Sequence, residues 1–414
     1  MVKSGNGKIL WIRDDMGRIG KPMQNRKRIS EICAFAVWSI LIFILSFVIV
    51  EKQMAIQGTD YQIHAIQAID IFQGGIWHFF REYPYPLWHL GVKFFERVFH
   101  FRLYEAAATT TALVYWVNFA TNFGIMWFAL GKQVNKQLCY IFSMMSIVVQ
   151  PITLALFSGK VTWGISLINT WHNPTNVAAR PFGVIAFYIL CSAIHEWKSD
   201  NKISWKKLFV LSGVLVVANM GKPSFGQVFL PSITLFCVLW CVCSRFKNFK
   251  MCLAIATAFV VPAMQLLFQM FFAFGDGDGT VEIAWFDVIC HLQPNIALML
   301  LKYLLFPIAV TVYLRKNLKC DIEMQLAWLL WGVSFCEYAA LAETGERRYH
   351  GNFGWGFSIA NFILQFVSLV RLIAYLKETG KKAYCNVAVI VYAIQFICGC
   401  IYLWWLLSVE LFWY

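Results

Sequence analysis

Charge is what this sequence has least of. Only 14% of its 414 residues are Asp, Glu, Lys or Arg, against 59% apolar and 17% aromatic, too few to solvate the surface of a globular chain of that length. Most of the surface therefore faces lipid, which excludes the soluble classes. The chain also lacks an internal repeat, a low-complexity segment and, beyond its first loop, any loop long enough for a soluble domain. It lacks an Asn-x-Ser/Thr acceptor with x other than Pro, which is compatible with a bacterial source. No small-residue cleavage pattern follows the first apolar stretch, Cys33 to Val50, so that stretch is an anchor and not a removed signal. The thirteen cysteines, Cys191, Cys237, Cys241 and Cys398 among them, fall in apolar stretches or beside basic loops. They read as small hydrophobes, not as a disulfide framework. The net charge of +13 is scattered over short loops instead of forming one face, so no nucleic-acid partner is expected.

What is present is a succession of apolar stretches, each near the length of about 20 residues that a helix needs to cross a bilayer. They predict an all-α, polytopic membrane protein with about eleven transmembrane helices. The spans fall near 33–50, 104–130, 138–157, 178–196, 208–220, 225–243, 251–274, 295–314, 324–342, 353–376 and 384–408. A basic segment, 1–32, precedes a single transmembrane domain, 33–414, whose first outer loop is 51–103. The N-terminal segment and alternate loops hold 23 of the 35 Lys and Arg residues. Cationic short loops stay cytoplasmic, so the N-terminus is expected inside and the C-terminus outside, in a plasma membrane. Outside then lie 51–103, 158–177, the Gly221–Ser224 turn, 275–294 and 343–352.

Those outer loops hold the residues that carry chemistry. GTDYQIHAIQAIDIFQGG, read as a helix, puts Asp60, His64 and Gln67 on one stripe with Ala65, Ile66, Ile69 and Phe72 opposite. A carboxylate just beyond the first span can accept a proton from an attacking hydroxyl, and His64 can orient it or bind substrate. Equally, Asp60 can be a helix N-cap after Gly58 and Thr59. In YPYPLWHLGVKFFERVF, Pro86 opens a helix on which His89, Lys93 and Arg97 recur every fourth residue. Anchoring at anionic headgroups is the ordinary reading of that stripe, and holding a lipid phosphate near Asp60 the sharper one.

The second outer loop carries Lys160, His172, Asn173, Asn176 and Arg180 around Pro174, and Trp163 and Trp171 suit an interfacial aromatic belt. Gly221, Lys222, Pro223 and Ser224 interrupt an apolar stretch and place a cation at the outer tip of a short or broken span. DGDGTVEIAWFDVICHLQPN offers Asp276, Asp278, Glu282, Asp287 and His291, but its spacing does not match a calcium loop, so a flexible acidic turn is expected. ETGERRYHGNFGWG sets Arg347 and Arg348 outside, against the charge bias, with Glu343, Tyr349, His350 and Asn352 beside them. Arg suits bidentate capture of phosphate, while pairing with Glu343 and Glu346 is the bland alternative.

With GTDYQIH, YPLWH and ETGERRYHGNFGWG in this order, the chain resembles the GT-C superfamily of membrane glycosyltransferases across its whole architecture. The resemblance implies an inverting transfer of a sugar from a polyprenyl-phosphate or polyprenyl-pyrophosphate donor to a glycan, lipid or protein acceptor at the outer face. It implies Asp60 as the general base, with Arg347 or Arg348 neutralising the departing lipid phosphate and Lys222 as a second candidate. The family's frequent paired acidic residues are represented by Asp60 alone, so no cofactor is required and a divalent cation stays an option. The rival readings are a transporter or flippase of lipid-linked saccharides, which would want charges deep within spans, and a membrane-embedded polysaccharide polymerase.

Overall fold

The computed structural model describes residues 21–56, 58–131, 134–152, 168–274, 280–293, 295–380 and 386–408. Among these, eight helices are long and apolar enough to cross a membrane, as a multi-pass membrane protein requires. Six helices come first: α1 (Lys21–Met54), α2 (Asp60–Ile69), α3 (Gly75–Glu82), α4 (Leu87–Phe99), α5 (Leu103–Leu130) and α6 (Lys136–Val148). Then come α7 (Pro174–Asp200), α8 (Trp205–Gly221), α9 (Pro223–Cys243) and α10 (Phe249–Phe274). The last five are α11 (Asp287–Leu292), α12 (Ile296–Leu314), α13 (Ile322–Ala340), α14 (Gly354–Thr379) and α15 (Val387–Ser408).

Each predicted span overlaps a helix, that near 138–157 only over 138–148, and three of these helices are not among the eight. The described α6 has 13 residues and α8 has 17, whereas α13 is long enough, at 19, but carries Glu323, Gln325 and Glu337. The spans also differ in what surrounds them. In α7 and α14, 72% and 78% of the apolar stretch is buried inside the protein, against 17% in α1. These two helices therefore form the centre, and α1 turns most of its surface to lipid. At one end of that centre, Arg371 of α14 is bonded to Asp321 and Glu323 at the start of α13, and Glu323 also meets His195 of α7.

The short helices α2 and α4 dock on the start of α5 through a cluster of Tyr61, Ala65, Trp88, Val92, Ala106 and Ala107. Small residues let these backbones approach closely: a Cβ on Gly91 would stand 2.6 Å from the methyl of Thr110. The burial corrects two expectations about side-chain direction. On α2, Tyr61, Ala65 and Ala68 are buried, whereas Ile63, Ile66 and Ile69 are exposed, because the small residues are the ones that fit against α5. On α4, His89 and Lys93 are only 2% and 7% exposed, so these two members of the stripe read as a headgroup anchor point into the protein, while Arg97 stays exposed. Lys93 donates to Ile69 O at 2.8 Å and pairs with Glu96, and Arg97 lies over the Phe72 ring. Satisfying those cations against α2 leaves the aromatic face, Phe94, Val98 and Phe99, outward.

A two-stranded antiparallel sheet, β1 (Val281–Ile283) with β2 (Leu341–Glu343), spans from the loop after α10 to the end of α13. The acidic segment expected as a flexible turn thus supplies a strand, although Asp276 and Asp278 lie outside the described residues. Trp171, expected in an interfacial belt, is instead fully buried and stacked on Tyr115 with centroids 4.0 Å apart; Trp163 and Lys160 fall outside the described residues.

The sidedness expected from the cations has a direct check. Single cysteines placed at Gly345 should react with an impermeant thiol reagent from outside, and those at Lys202 and Lys316 only from inside. Labelling with the sides reversed would refute the topology.

Candidate functional site

Asp60 is the first residue of α2, and the cap is its neighbour: Thr59 accepts from Gln62 N through its hydroxyl. The carboxylate is therefore not occupied in capping. Asn173 Nδ2 donates to Asp60 Oδ2 at 2.8 Å, joining the start of α2 to the start of α7. Asn173 is itself held, because its Oδ1 caps α7 by accepting from Asn176 N at 2.9 Å and also accepts the Thr175 hydroxyl at 3.0 Å. The same hydroxyl accepts from Lys222 Nζ at 3.1 Å. Lys222, Thr175, Asn173 and Asp60 thus form one hydrogen-bonded chain from an ammonium to a carboxylate.

Local sequence explains how Lys222 reaches that place. Helix α8 ends at Gly221, Lys222 is extended, and Pro223 starts α9, where its missing N–H costs nothing. A Cβ on Gly221 would lie 2.7 Å from Ala179 N, so only glycine lets this break rest on α7. The ammonium is 7% exposed and lies 5.2 Å from the Tyr85 ring centre and 5.3 Å from that of Trp355. Burial pulls its pKa down to about 8, with Asp60 and Glu343 pulling up and Arg347 adding to the depression. Such a lysine is charged at neutral pH, caged by rings and held by a neutral hydroxyl, which suits it to an anion.

Two histidines border the chain. His64 Nδ1 and His89 Nε2 share a hydrogen bond of 3.1 Å, and Gln67 Oε1 lies 3.1 Å from the same His64 nitrogen. Burial, then the charge of its neighbours His89 and Lys222, lowers His64 well below its ordinary value, and burial takes His89 down to about 4. Both rings are neutral at pH 7. His172, 5% exposed, packs on Trp355 at 5.8 Å; burial lowers its pKa while Asp60 opposes the shift. For His89 the sign is explicit: between pH 6.5 and about 4 the unfolded chain takes up a proton that the folded ring refuses, so stability falls with pH across that window. The full effect is on the order of 3 kcal/mol. His89→Gln should flatten the dependence of melting temperature on pH between 6.5 and 4.5; an equally steep curve would place the proton uptake elsewhere.

The segment between α13 and α14 divides its two arginines. Arg347 pairs with Oε2 of the buried Glu343 at 3.2 Å, and Asn352 Nδ2 donates to the same oxygen at 2.6 Å. Glu343 and Arg347 line a shallow depression, together with Arg348 and Asn352. Both charges act on Tyr85 and Lys222, which ties this loop to the Asp60 chain. Arg348 turns away to Glu282 of β1 and Asp287 of α11, the latter at 2.7 Å, and these hydrogen bonds push its pKa further up. His350 is exposed at the end of the same turn, outside this set of contacts. Arg348→Ala should therefore lower the melting temperature while leaving affinity for an anionic ligand unchanged, and Arg347→Ala should do the reverse. Equal loss of ligand affinity in both variants, measured by titration, would refute that division.

The fold thus gathers Asp60, His64, His89, His172, Asn173, Lys222, Glu343 and Arg347 and leaves His350 apart, while Arg348 shares the depression beside Arg347 but is engaged by Glu282 and Asp287. It adds Tyr85, Thr175 and Trp355, which sequence reasoning did not single out. Tyr85 sits between two prolines, a mark of a shaped turn, but nothing in the sequence distinguishes Trp355 from the other seventeen tryptophans. Buried Arg180 reaches back from α7 to Asn169 Oδ1 at 2.6 Å and Thr170 Oγ1 at 3.0 Å, and lies over the Phe362 ring. It thereby holds the segment that presents His172 and Asn173. Among the described residues no group of three or more His, Cys, Asp or Glu could hold a metal ion. Compared with protein-family models, with curated proteins and with solved structures, the chain matches none.

Proposed function

We propose that the chain is a membrane glycosyltransferase of GT-C type, moving a sugar from a polyprenyl-phosphate donor to an acceptor hydroxyl at the outer face of the plasma membrane. The observation that supports it best is the single hydrogen-bonded chain that sets the Asp60 carboxylate beside the caged ammonium of Lys222. A base and an anion site at a membrane surface are what such a transfer needs.

In the reaction, Asp60 takes the proton of the acceptor hydroxyl as that oxygen attacks the anomeric carbon from the face opposite the phosphate. The bond from that carbon to the phosphate oxygen breaks, and the phosphate leaves with the electron pair. Lys222 and Arg347 stabilise the charge that develops, most effectively where water is excluded. Asn173 keeps one Asp60 oxygen engaged and leaves the other for the proton, and Glu343 orients Arg347. The reading carries with it eleven spans, an inner N-terminus and an outer C-terminus.

The transporter reading wants charges deep within spans. Arg180, a buried charge of α7, is instead used on the loop that presents Asn173, which favours the transferase. Incubating the purified protein in nanodiscs with radiolabelled polyprenyl-phosphate sugars and candidate glycan or lipid acceptors tests it. Label should pass to an acceptor with release of polyprenyl phosphate; sugar crossing a sealed vesicle membrane intact would decide for a flippase.

A further inference from the structure

Lys222, Thr175, Asn173 and Asp60 come from the turn between α8 and α9, the first turn of α7, its cap, and α2. The order of donors is fixed by chemistry. An ammonium only donates and a carboxylate only accepts, so Thr175 must accept from Lys222 and give its single proton to Asn173 Oδ1, and the Asn173 amide must give a proton to Asp60. All the hydrogen bonds of the chain point the same way, from cation to anion. Bonds so aligned polarise one another, and each strengthens the next. Thr175 is fully buried and Asn173 is 3% exposed, so water does not compete for either.

We propose that this chain couples the two halves of the site: an anion on Lys222 weakens the hydrogen bond that Asp60 accepts, and Thr175 is the positioning residue that transmits the change. A bound phosphate gives the ammonium a better partner than a hydroxyl and draws it off Thr175. The Thr175 hydroxyl, no longer polarised, donates less strongly to Asn173, and Asn173 in turn to Asp60. A carboxylate with a weaker donor is a stronger base. The base is thereby readied only after the anionic donor is seated, which sets an order of donor first and acceptor second. This consequence rests on the transferase reading; the coupling itself does not.

The test uses the full-length protein in nanodiscs with inorganic phosphate as probe, and reads the carboxylate stretching bands by infrared difference spectroscopy. The Asp60 band is assigned by its loss in Asp60→Asn. Phosphate should shift that band in the native protein. Thr175→Ser, which keeps the hydroxyl, should retain the shift, and Thr175→Val should abolish it, with phosphate affinity equal within about threefold in all three. The same shift in Thr175→Val would show that the field of the phosphate acts through space, and would overturn the proposal. So would the absence of a shift in the native protein, or a failure of phosphate to bind it. A clear phosphate response in a protein that transfers no sugar would refute the transferase reading and leave the coupling standing.

Discussion

Asp60→Asn should lower sugar transfer by about a hundredfold or more, the usual range for losing a general base, with the melting temperature near that of the native protein. The expectation of stability comes from the helix end. The cap of α2 belongs to Thr59, so the substitution removes no cap. Asn at position 60 keeps the size of the side chain and an oxygen that can still accept from Asn173, now without charge. A loss of expression together with activity would mean that the carboxylate serves the fold. Near-native transfer by a folded Asp60→Asn protein would remove Asp60 as the base and turn the search to Glu343, the other carboxylate that acts on Lys222.

The second large effect is expected at Lys222. Replacing it with Met keeps the volume and removes a buried charge, a change that is commonly neutral or stabilising when the charge has no tight acidic partner. Losing a charge-assisted contact to phosphate costs about 1.5–3 kcal/mol, which is roughly a tenfold to hundredfold loss of donor affinity. The pH dependence separates this site from the arginines. With burial holding its pKa at about 8, the ammonium is present below that pH and lost above it. In the native protein kcat/KM for the donor should therefore decline as pH rises through about 8. In Lys222→Met the decline should be absent and the plateau low. A native profile that stays flat past pH 9 would mean that the anion is held elsewhere, with Arg347 the remaining cation of the group.

Much of the candidate site was legible in the outer loops, because chemistry-bearing residues stand out against an apolar background. Asp60, His172, Asn173, Lys222 and Glu343 were visible for that reason. Their roles were less so. Asp60 could be base or cap; the cap falls to its neighbour Thr59, and the partner of its carboxylate, Asn173, lies 113 residues away. Arg347 and Arg348 are adjacent and identical in type, yet one faces Glu343 and the other Glu282 and Asp287. Periodicity foresaw that His89, Lys93 and Arg97 share a face of α4, but not which way that face points. The small residues Ala106 and Ala107 of α5, with Gly91 of α4, decided that by allowing the helices to close on each other.

The sequence by itself determined that the chain lives in a membrane and where its helices run. Both follow from local terms: the transfer of each side chain out of water, and the backbone's need to satisfy its hydrogen bonds within its own segment. Only the tertiary structure decided which polar groups meet. Helices α7 and α14 were ordinary spans in hydropathy, and became the buried centre because the others pack around them. The break at Gly221 placed a buried lysine between the Tyr85 and Trp355 rings because α7 lies 2.7 Å from where a Cβ would be. In a medium without water a polar side chain must find its partner on another helix, and partners that far apart in the chain are chosen by packing.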